Sequence, residues 1–317
     1  MPAELWMRDL PPAGSTRRRD RSRRLGKPKG SPMDNRRPPA GRRALVELVK
    51  DVPPMPLVAH RVLEMARDPQ QACVADLVKV ISTDQGLTAK ILRTCNAPAY
   101  GLRSQVRSLS QAVVLLGLRS VRNLVVLHSL PVHGRGRPSF EETAMWSHSM
   151  AVALGARLLA DRSRTADPEE AFLGGLLHDV GRLVLALAYE ERYLSVFRAI
   201  YNREGPSIEL ERRHLGFDHA QVGALVTRRW DFPLELAQAV GEHHAPADTL
   251  SGLTLVVCAA NELIHRMGIG GRPPEEGEEA PEPGLEALGV SHAELEDARE
   301  RIQATLDEEM TIYRQAA

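Results

Sequence analysis

An all-α fold is what this chain of 317 residues predicts. Three observations carry that expectation. Apolar residues recur at helical spacing from Ala44 onward, with no convincing alternating strand anywhere. Aromatic residues are only 4% of the chain against 43% hydrophobic residues, so Leu, Val and Ala must fill the core. That composition suits packed helices better than a β-sandwich. Helix-start signals also punctuate the pattern at Asp84, at Asp167-Pro168 and at Ser291.

The elements can be justified in order. Residues 1–42 are rich in Arg, Pro, Gly and Ser without apolar periodicity, and read as a disordered basic tail. Residues 1–43 hold 13 Lys or Arg and 4 Asp or Glu, so a tail of +9 precedes a body of −9 in a chain of zero formal charge. Such a tail could tether nucleic acid or an acidic membrane. A solvated tail, or a translation start near Met33, accounts for it better, because apart from the distant Trp6 no aromatic residue interleaves the arginines.

An N-terminal helical block is expected over residues 43–132. Its helices are Ala44–Lys50, Val58–Ala66, Cys73–Ile81 and Gly86–Cys95, then the pair Ser110–Leu116 and Arg119–Leu130 around Gly117. Val52-Pro-Pro-Met-Pro56 is a rigid break. Asn96-Ala-Pro-Ala-Tyr-Gly101 reads as a turn and His133–Pro138 as a boundary loop. The pair around Gly117 imitates a helix-turn-helix, but its apolar content points to core packing.

A second block, residues 139–268, is expected to hold helices near Glu141–Ala160, Pro168–His178, Leu183–Asn202, Ile208–Leu215, His219–Trp230, Leu234–His244 and Leu253–Met267. A Pro/Gly/Glu linker, 269–290, follows. Ser291-His-Ala-Glu294 then has the form of a capping box. Leu295, Ala298, Ile302, Leu306, Met310 and Tyr313 give the terminal segment, 291–317, an apolar stripe that suits docking on the body.

Several function classes are set aside. Cys73, Cys95 and Cys258 lie far apart with no C-x-x-C, which indicates reduced thiols rather than a disulfide framework. No run approaches the ~18 apolar residues of a membrane span, Ala112–Leu118 and Leu253–Ala260 being of core-helix length. The basic N-terminus lacks a secretory apolar segment. A soluble, cytoplasmic protein is expected. There is no phosphate-cradling Gly-x-x-x-x-Gly-Lys loop and no Gly-x-Ser-x-Gly elbow.

The residues that carry chemistry form an ordered series in the second block. It runs from His148, through His178-Asp179 after the apolar run Phe172–Leu177, to His219, His243-His244 and Asn261. Histidine and aspartate both bind divalent metals, and helical bundles build metal sites by aiming such groups inward. Singly, each histidine reads as packed or surface, as His60, His128, His133, His214, His265 and His292 do. Adjacent helical residues differ by about 100° in direction, so one of His243 and His244 is expected to face the site and the other to face elsewhere. His178 and Asp179 can both contribute only at a helix end, where Gly181 frees the backbone.

This series resembles the HD superfamily of metal-dependent phosphohydrolases, whose signature is one His, a His-Asp pair, further histidines and a final Asp. The upstream stretches Leu57–Arg67, Asp84–Arg93, Ala97-Pro-Ala-Tyr-Gly101, Ala112–Leu118 and Val121–Leu124 narrow the resemblance to the HDOD domain. Leu215–His219, Val222-Gly223 and Arg229–Pro233 continue it, so that it covers roughly residues 45–268. The resemblance implies a helical subdomain packed on an HD-like helical bundle and a role in bacterial signalling. It also implies partners among regulatory proteins, and a metal set of His148, His178, Asp179, His219, His243, His244 and Asn261 for Fe, Mn, Zn or Mg.

Two departures stand out. Asn261 occupies the place of the last metal-binding Asp and offers a neutral oxygen. Arg182 stands where cyclic-dinucleotide phosphodiesterases carry Lys in His-Asp-x-Gly-Lys; it could grip a phosphate, or be a surface residue after a helix end. Ala-Pro-Ala-Asp248 follows His244 in place of that subfamily's diglycine-tyrosine-proline signature. The expectation is therefore a non-catalytic regulatory module with a partly degenerate metal site. The alternative is a metal-dependent phosphohydrolase, acting on a nucleotide or cyclic dinucleotide with Arg182 neutralising phosphate charge. A third reading, nucleic-acid association through the tail, carries least.

Overall fold

The computed structural model describes residues 42–52, 54–67, 73–96, 105–130, 140–202, 204–270 and 282–316. Residues 1–41 of the basic tail, the His133–Pro138 loop, all of the 96–101 turn but Asn96, and residues 271–281 of the Pro/Gly/Glu linker lie outside them. Among the described residues there are fifteen α-helices, one 3-10 turn and no strand, as expected of an all-α fold.

The first block comprises α1 (Arg42–Lys50), α2 (Leu57–Arg67), α3 (Val74–Ile81), α4 (Gln85–Cys95), α5 (Leu109–Leu116) and α6 (Leu118–Ser129). Asp84 caps α4 by accepting the Leu87 N–H at 2.9 Å, and Ser108 caps α5 through the Gln111 N–H at 3.2 Å. These side chains satisfy backbone donors that a helix start leaves unpaired. Asn96 ties the end of α4 to Val106, its amide donating to the carbonyls of Leu92 at 2.7 Å and Val106 at 2.8 Å. In α6, Val121 and Leu124–Leu127 are buried; in α5, Leu109, Ala112 and Val113 are buried while Val114 and Leu115 are exposed, so the pair around Gly117 is core on one face only.

The second block holds α7 (Phe140–Ser163), α8 (Pro168–Leu177), α9 (Val180–Tyr201), α10 (Ser207–Leu215), α11 (His219–Arg229), α12 (Leu234–Glu242) and α13 (Gly252–Arg266), with the 3-10 turn Ala247–Thr249 before α13. Asp167 caps α8 with Pro168 in its first turn. Residues of both blocks belong to one buried cluster. Asn123 on α6 is fully buried and donates to the backbone and carboxylate of Glu169 on α8, each at 2.8 Å. Arg157 on α7 reaches the same carboxylate at 3.1 Å.

One long stretch, Pro168–Tyr201, is apolar and long enough to cross a membrane although Asp179 and Arg182 interrupt its apolar run; 78% of its most apolar window is buried inside the fold. It is α8 and α9, broken at His178-Asp179 and bent again at Glu190, whose φ is +29°. α8 and the first turns of α9 are apolar on most faces because neighbours surround them, whereas from Leu187 onward α9 exposes one side.

The linker ends earlier than expected. Within 269–290 lies a further helix, α14 (Pro283–Leu288), with Leu285 buried. Its free N–H groups are capped from another element. Glu262 on α13 accepts from Gly284 at 3.0 Å and Leu285 at 3.1 Å. A cap supplied from 22 residues away leaves no local sequence signal.

The terminal helix α15 (His292–Ala316) opens with the expected box, Ser291 N–H donating to Glu294 at 2.9 Å and Glu294 N–H to Ser291 Oγ at 3.4 Å. Ala298, Ile302, Leu306 and Met310 are buried, and the helix packs on α7 and α4. Burying each of the larger three contributes roughly 1.5–3 kcal/mol.

Gly181 decides how α9 meets α11. It lies inside α9, and a Cβ there would fall 2.0 Å from the His219 carbonyl oxygen and 2.8 Å from the Gly223 nitrogen. Its role is close approach, not the backbone freedom expected of it; the chain turns at Asp179 instead, at φ −100° and ψ 14°. Gly181→Ala should therefore cost about 1–3 kcal/mol or more by overpacking. Gly205→Ala, whose Cβ would meet only Leu210 at 3.6 Å or beyond, should stay within about 0.5 kcal/mol. Chemical denaturation of the two variants measures the difference.

Candidate metal centre

The end of α8 and the start of α9 place His178 and Asp179. His178 still has helical dihedrals as the C-cap of α8, and its Nδ1–H donates to the Gly175 carbonyl at 2.7 Å. Asp179 turns the chain, so its carboxylate enters the space that the imidazole already faces. Oδ2 lies 3.4 Å from His178 Nε2 and 3.7 Å from His148 Nε2. Oδ1 lies 3.0 Å from His219 Nε2 and 3.8 Å from His243 Nε2. The Arg182 Nε, one turn into α9, is 3.0 Å from Oδ1.

His219 opens α11 behind a capping box, Asp218 accepting the Gln221 N–H at 2.8 Å and the Gln221 side chain accepting the Asp218 N–H at 3.3 Å. Its Nδ1–H donates to Glu211 Oε2 at 2.6 Å, and its backbone N–H donates to the same oxygen at 2.7 Å. The other Glu211 oxygen accepts from Tyr193 OH at 2.9 Å. His243, the C-cap of α12, donates its Nδ1–H to the Val240 carbonyl at 2.9 Å. His148 on α7 donates its own to Ile269 at 3.1 Å.

A carbonyl or carboxylate can only accept, so these partners fix the proton of all four rings on Nδ1 and turn every Nε2 inward. This is how metal-binding imidazoles are oriented, and a carboxylate behind the ring, as at Glu211–His219, raises ligand basicity. His178 Nε2 and Asn261 Oδ1 are buried without a hydrogen-bond partner. Buried lone pairs left open in this way are costly unless something binds them.

The ligand atoms form two groups. His219, His243 and His244 make one, and His148, His178 and Asp179 the other, with the atoms of each group within 4.8 Å of one another. These residues fit a divalent metal by donor type and by ring orientation. Asn261 on α13 lines the same cleft, about 1090 Å³ in volume, along with Arg182, His148 and His265; Phe197 and Tyr201 form an apolar wall.

Charge is distributed unevenly. Burial alone would raise the Asp179 pKa, but Arg182, His178 and His219 hold it well below the usual carboxylate range. Burial pushes His178 well down and His148 down. Burial, with His219 beside it, takes His243 to about 3. His219 moves the other way, to about 9, because Glu211 and Asp179 outweigh its burial.

Six of the eight residues singled out from sequence line one cleft, and His178 and His219 are buried behind them against Asp179. Two expectations change. His244 does not face elsewhere: its Nε2 is 3.2 Å from His219 Nε2, while His243 Nε2 is 3.4 Å from the same atom. The helix ends at Glu242, so the 100° rule stops applying there. Arg182 is no surface residue; it is 7% exposed and held on Asp179.

Sequence reasoning missed Glu211, Tyr193 and His265. Glu211 lies four residues before buried Leu215 on the core face of α10, and a carboxylate on an apolar stripe was the available signal. His265 packs its ring 5.0 Å from that of His148, one turn beyond Asn261.

Comparison with known proteins gives the family and the fold. The model of the HDOD domain matches residues 52–246. The chain belongs to the HDOD family. An HDOD domain protein of unknown function from Geobacter sulfurreducens has the same fold, with a TM-score of 0.70 at 22% identity over 84% of this chain and 98% of that one. A candidate phosphohydrolase of Shewanella amazonensis aligns with a TM-score of 0.66, also at 22% identity, over 84% and 97% of the two chains. A candidate signal transduction protein of Marinobacter aquaeolei gives 0.65 at 23% identity, over 84% and 64%. An uncharacterised protein of Treponema pallidum is 28% identical over 211 residues; the alignment takes in 63% of this chain and spans only 39% of that relative's length. The HDOD match stops at residue 246, so α13, which brings Asn261 to the site, lies beyond it.

The pKa shifts set the pH response of chelated protein. Groups depressed by folding (His148, His178, His243, Asp179) contribute stability that is lost as pH falls below the value each has when unfolded. His219, raised by folding, contributes stability that is complete below about 6.5 and lost as pH rises through about 9. Thermal melts in a chelator should peak near neutral pH, with the steeper fall on the acid side, where several groups act. Glu211→Gln should flatten the alkaline arm.

Proposed function

We propose that this chain is a bacterial, cytoplasmic signalling module of the HDOD family. It binds a divalent transition metal at the histidine cluster and acts through contacts with regulatory proteins rather than by turnover. One observation carries the reading: Asp179 is the sole carboxylate in either ligand group, and Arg182 sits 3.0 Å from its Oδ1. Glu211 is taken up by His219 and Tyr193, and Glu262 by α14. No ligand-group carboxylate is left over to act as a general base on water. The four pinned imidazoles support metal binding, so the site is complete as a scaffold while being poor in charge for catalysis.

A second reading has an observation of its own. The cleft, about 1090 Å³, opens directly on the cluster and has Arg182 in its lining, which would suit a phosphoester such as a nucleotide or cyclic dinucleotide. A metal held by His148, His178, Asp179, His219, His243 and His244 would polarise a phosphoryl oxygen and acidify a bound water. Arg182 would then offset phosphate charge, and Phe197 and Tyr201 would shield the apolar part of the ligand.

Metal analysis and turnover assays separate the two readings. Purified protein should carry Fe, Mn or Zn, and His178→Ala should lower metal affinity at least ~10-fold, the lower range for losing even a supporting contact. With Mn²⁺ or Fe²⁺ added, a panel of nucleotides and cyclic dinucleotides should show no hydrolysis above background. Turnover abolished by both His178→Ala and Asp179→Ala would replace the module reading with the enzyme. Affinity capture with residues 43–317 should retain specific partners in Asp179→Asn.

A further inference from the structure

The two ligand groups look equivalent by residue count, but the charges around them are not. The His219–His243–His244 group has a carboxylate on each side: Asp179 Oδ1 lies 3.0 Å from His219 Nε2 in front, and Glu211 lies 2.6 Å from Nδ1 behind. The His148–His178 group has only the other oxygen of Asp179. Its rings are backed by the neutral carbonyls of Ile269 and Gly175, and Asn261 adds a neutral oxygen. Among the described residues no further carboxylate joins either group.

A guanidinium lies within the same cluster. Arg182 is buried and has its pKa raised by Asp179, so its charge is permanent. Two-metal sites hold their ions about 3.5–4 Å apart. At that spacing two divalent ions repel with four times the energy of unit charges. Such a pair is stabilised by anionic ligands shared between or flanking the ions. Here one carboxylate would serve two divalent ions beside a fixed cation. A single ion on the three-histidine side has Asp179 in front and Glu211 behind, so a second carboxylate remains on that side even though Arg182 lies 3.0 Å from Asp179 Oδ1.

We infer that the cluster takes one divalent metal ion, not two, and that the ion is held by His219, His243 and His244 with Asp179. This rests on the metal-binding reading above and goes beyond it in stoichiometry, position and metal class. Three imidazoles favour Zn²⁺, Co²⁺, Ni²⁺ or Fe²⁺ over Mg²⁺, which prefers oxygen ligands and retains its waters. Asn261 is then the residue that keeps the other half empty, by supplying an oxygen without its charge.

Titration of chelator-stripped full-length protein with Co²⁺, followed by visible absorption and by bound metal after gel filtration, tests this without reference to activity. The wild type should saturate at one equivalent and show no competition from excess Mg²⁺. Asn261→Asp should saturate at two. His244→Ala should weaken the single equivalent at least ~10-fold, and Glu211→Gln by about 10–100-fold, whereas His148→Ala should keep it. Circular dichroism melts identify any variant that fails to fold, and the wild-type stoichiometry needs no variant. Saturation of the wild type at two equivalents, or loss of the first equivalent in folded His148→Ala but not in His244→Ala, overturns the inference and leaves metal binding standing. Absence of bound Co²⁺ in the wild type overturns both.

Discussion

Asp179 is where the buried polar groups of several helices meet. Its two oxygens face histidines from α7, α8, α11 and α12, and Arg182 from α9 lies against one of them. An isolated carboxylate at 9% exposure would give up its charge. Here a guanidinium and surrounding imidazoles keep it ionised, so the helices that supply them are held in one arrangement. Removing one partner from such a network leaves an uncompensated buried charge, which costs more than the pairing ever contributes.

That arrangement depends on a contact that needs the absence of a side chain. Gly181 lets the first turn of α9 press against the first turn of α11, which brings His219 Nε2 within reach of Asp179. Behind His219, Glu211 binds both the ring and the backbone of the same residue while also accepting Tyr193. Close backbone approach sets the distance, the cap at Asp218 sets the direction of the helix, and Glu211 sets the tautomer. The result is preorganised for a cation, because the rings are oriented by groups that cannot themselves be ligands.

Beyond the family match, the C-terminal helices change what that centre can do. α13 carries Asn261 to the cleft and uses Glu262 to cap α14. α15 then lies along α7 and α4 with its apolar stripe buried, so the helix bearing His148 is covered on its outer side. The chemistry-bearing histidines and the structural closure of the bundle are therefore built on the same helices.

Much of this was legible before any coordinates. The helical period, the caps at Asp84, Asp167 and Ser291, the apolar stripe of α15 and the ordered series from His148 to Asn261 are local or serial features, which sequence carries directly. The series was readable because its residue types are uncommon in apolar surroundings. His265 and Glu211 were not readable, since a lone histidine or glutamate on a helix looks the same whether it faces solvent or a cleft.

What the chain by itself determined is the fold class, the limits of most helices and which residues meet at the centre. The first two follow from periodicity and capping chemistry, and the third from the ordered series of histidines with one aspartate and the resemblance that series carries. What only the tertiary structure decided is which oxygen of Asp179 faces which histidines, that His243 and His244 both reach His219, that Arg182 is spent on Asp179, and that Glu211 stands behind the cluster. Those depend on a helix ending two residues sooner, on two backbones meeting at a glycine, and on groups distant in sequence sharing one low-dielectric space. No local pattern encodes them.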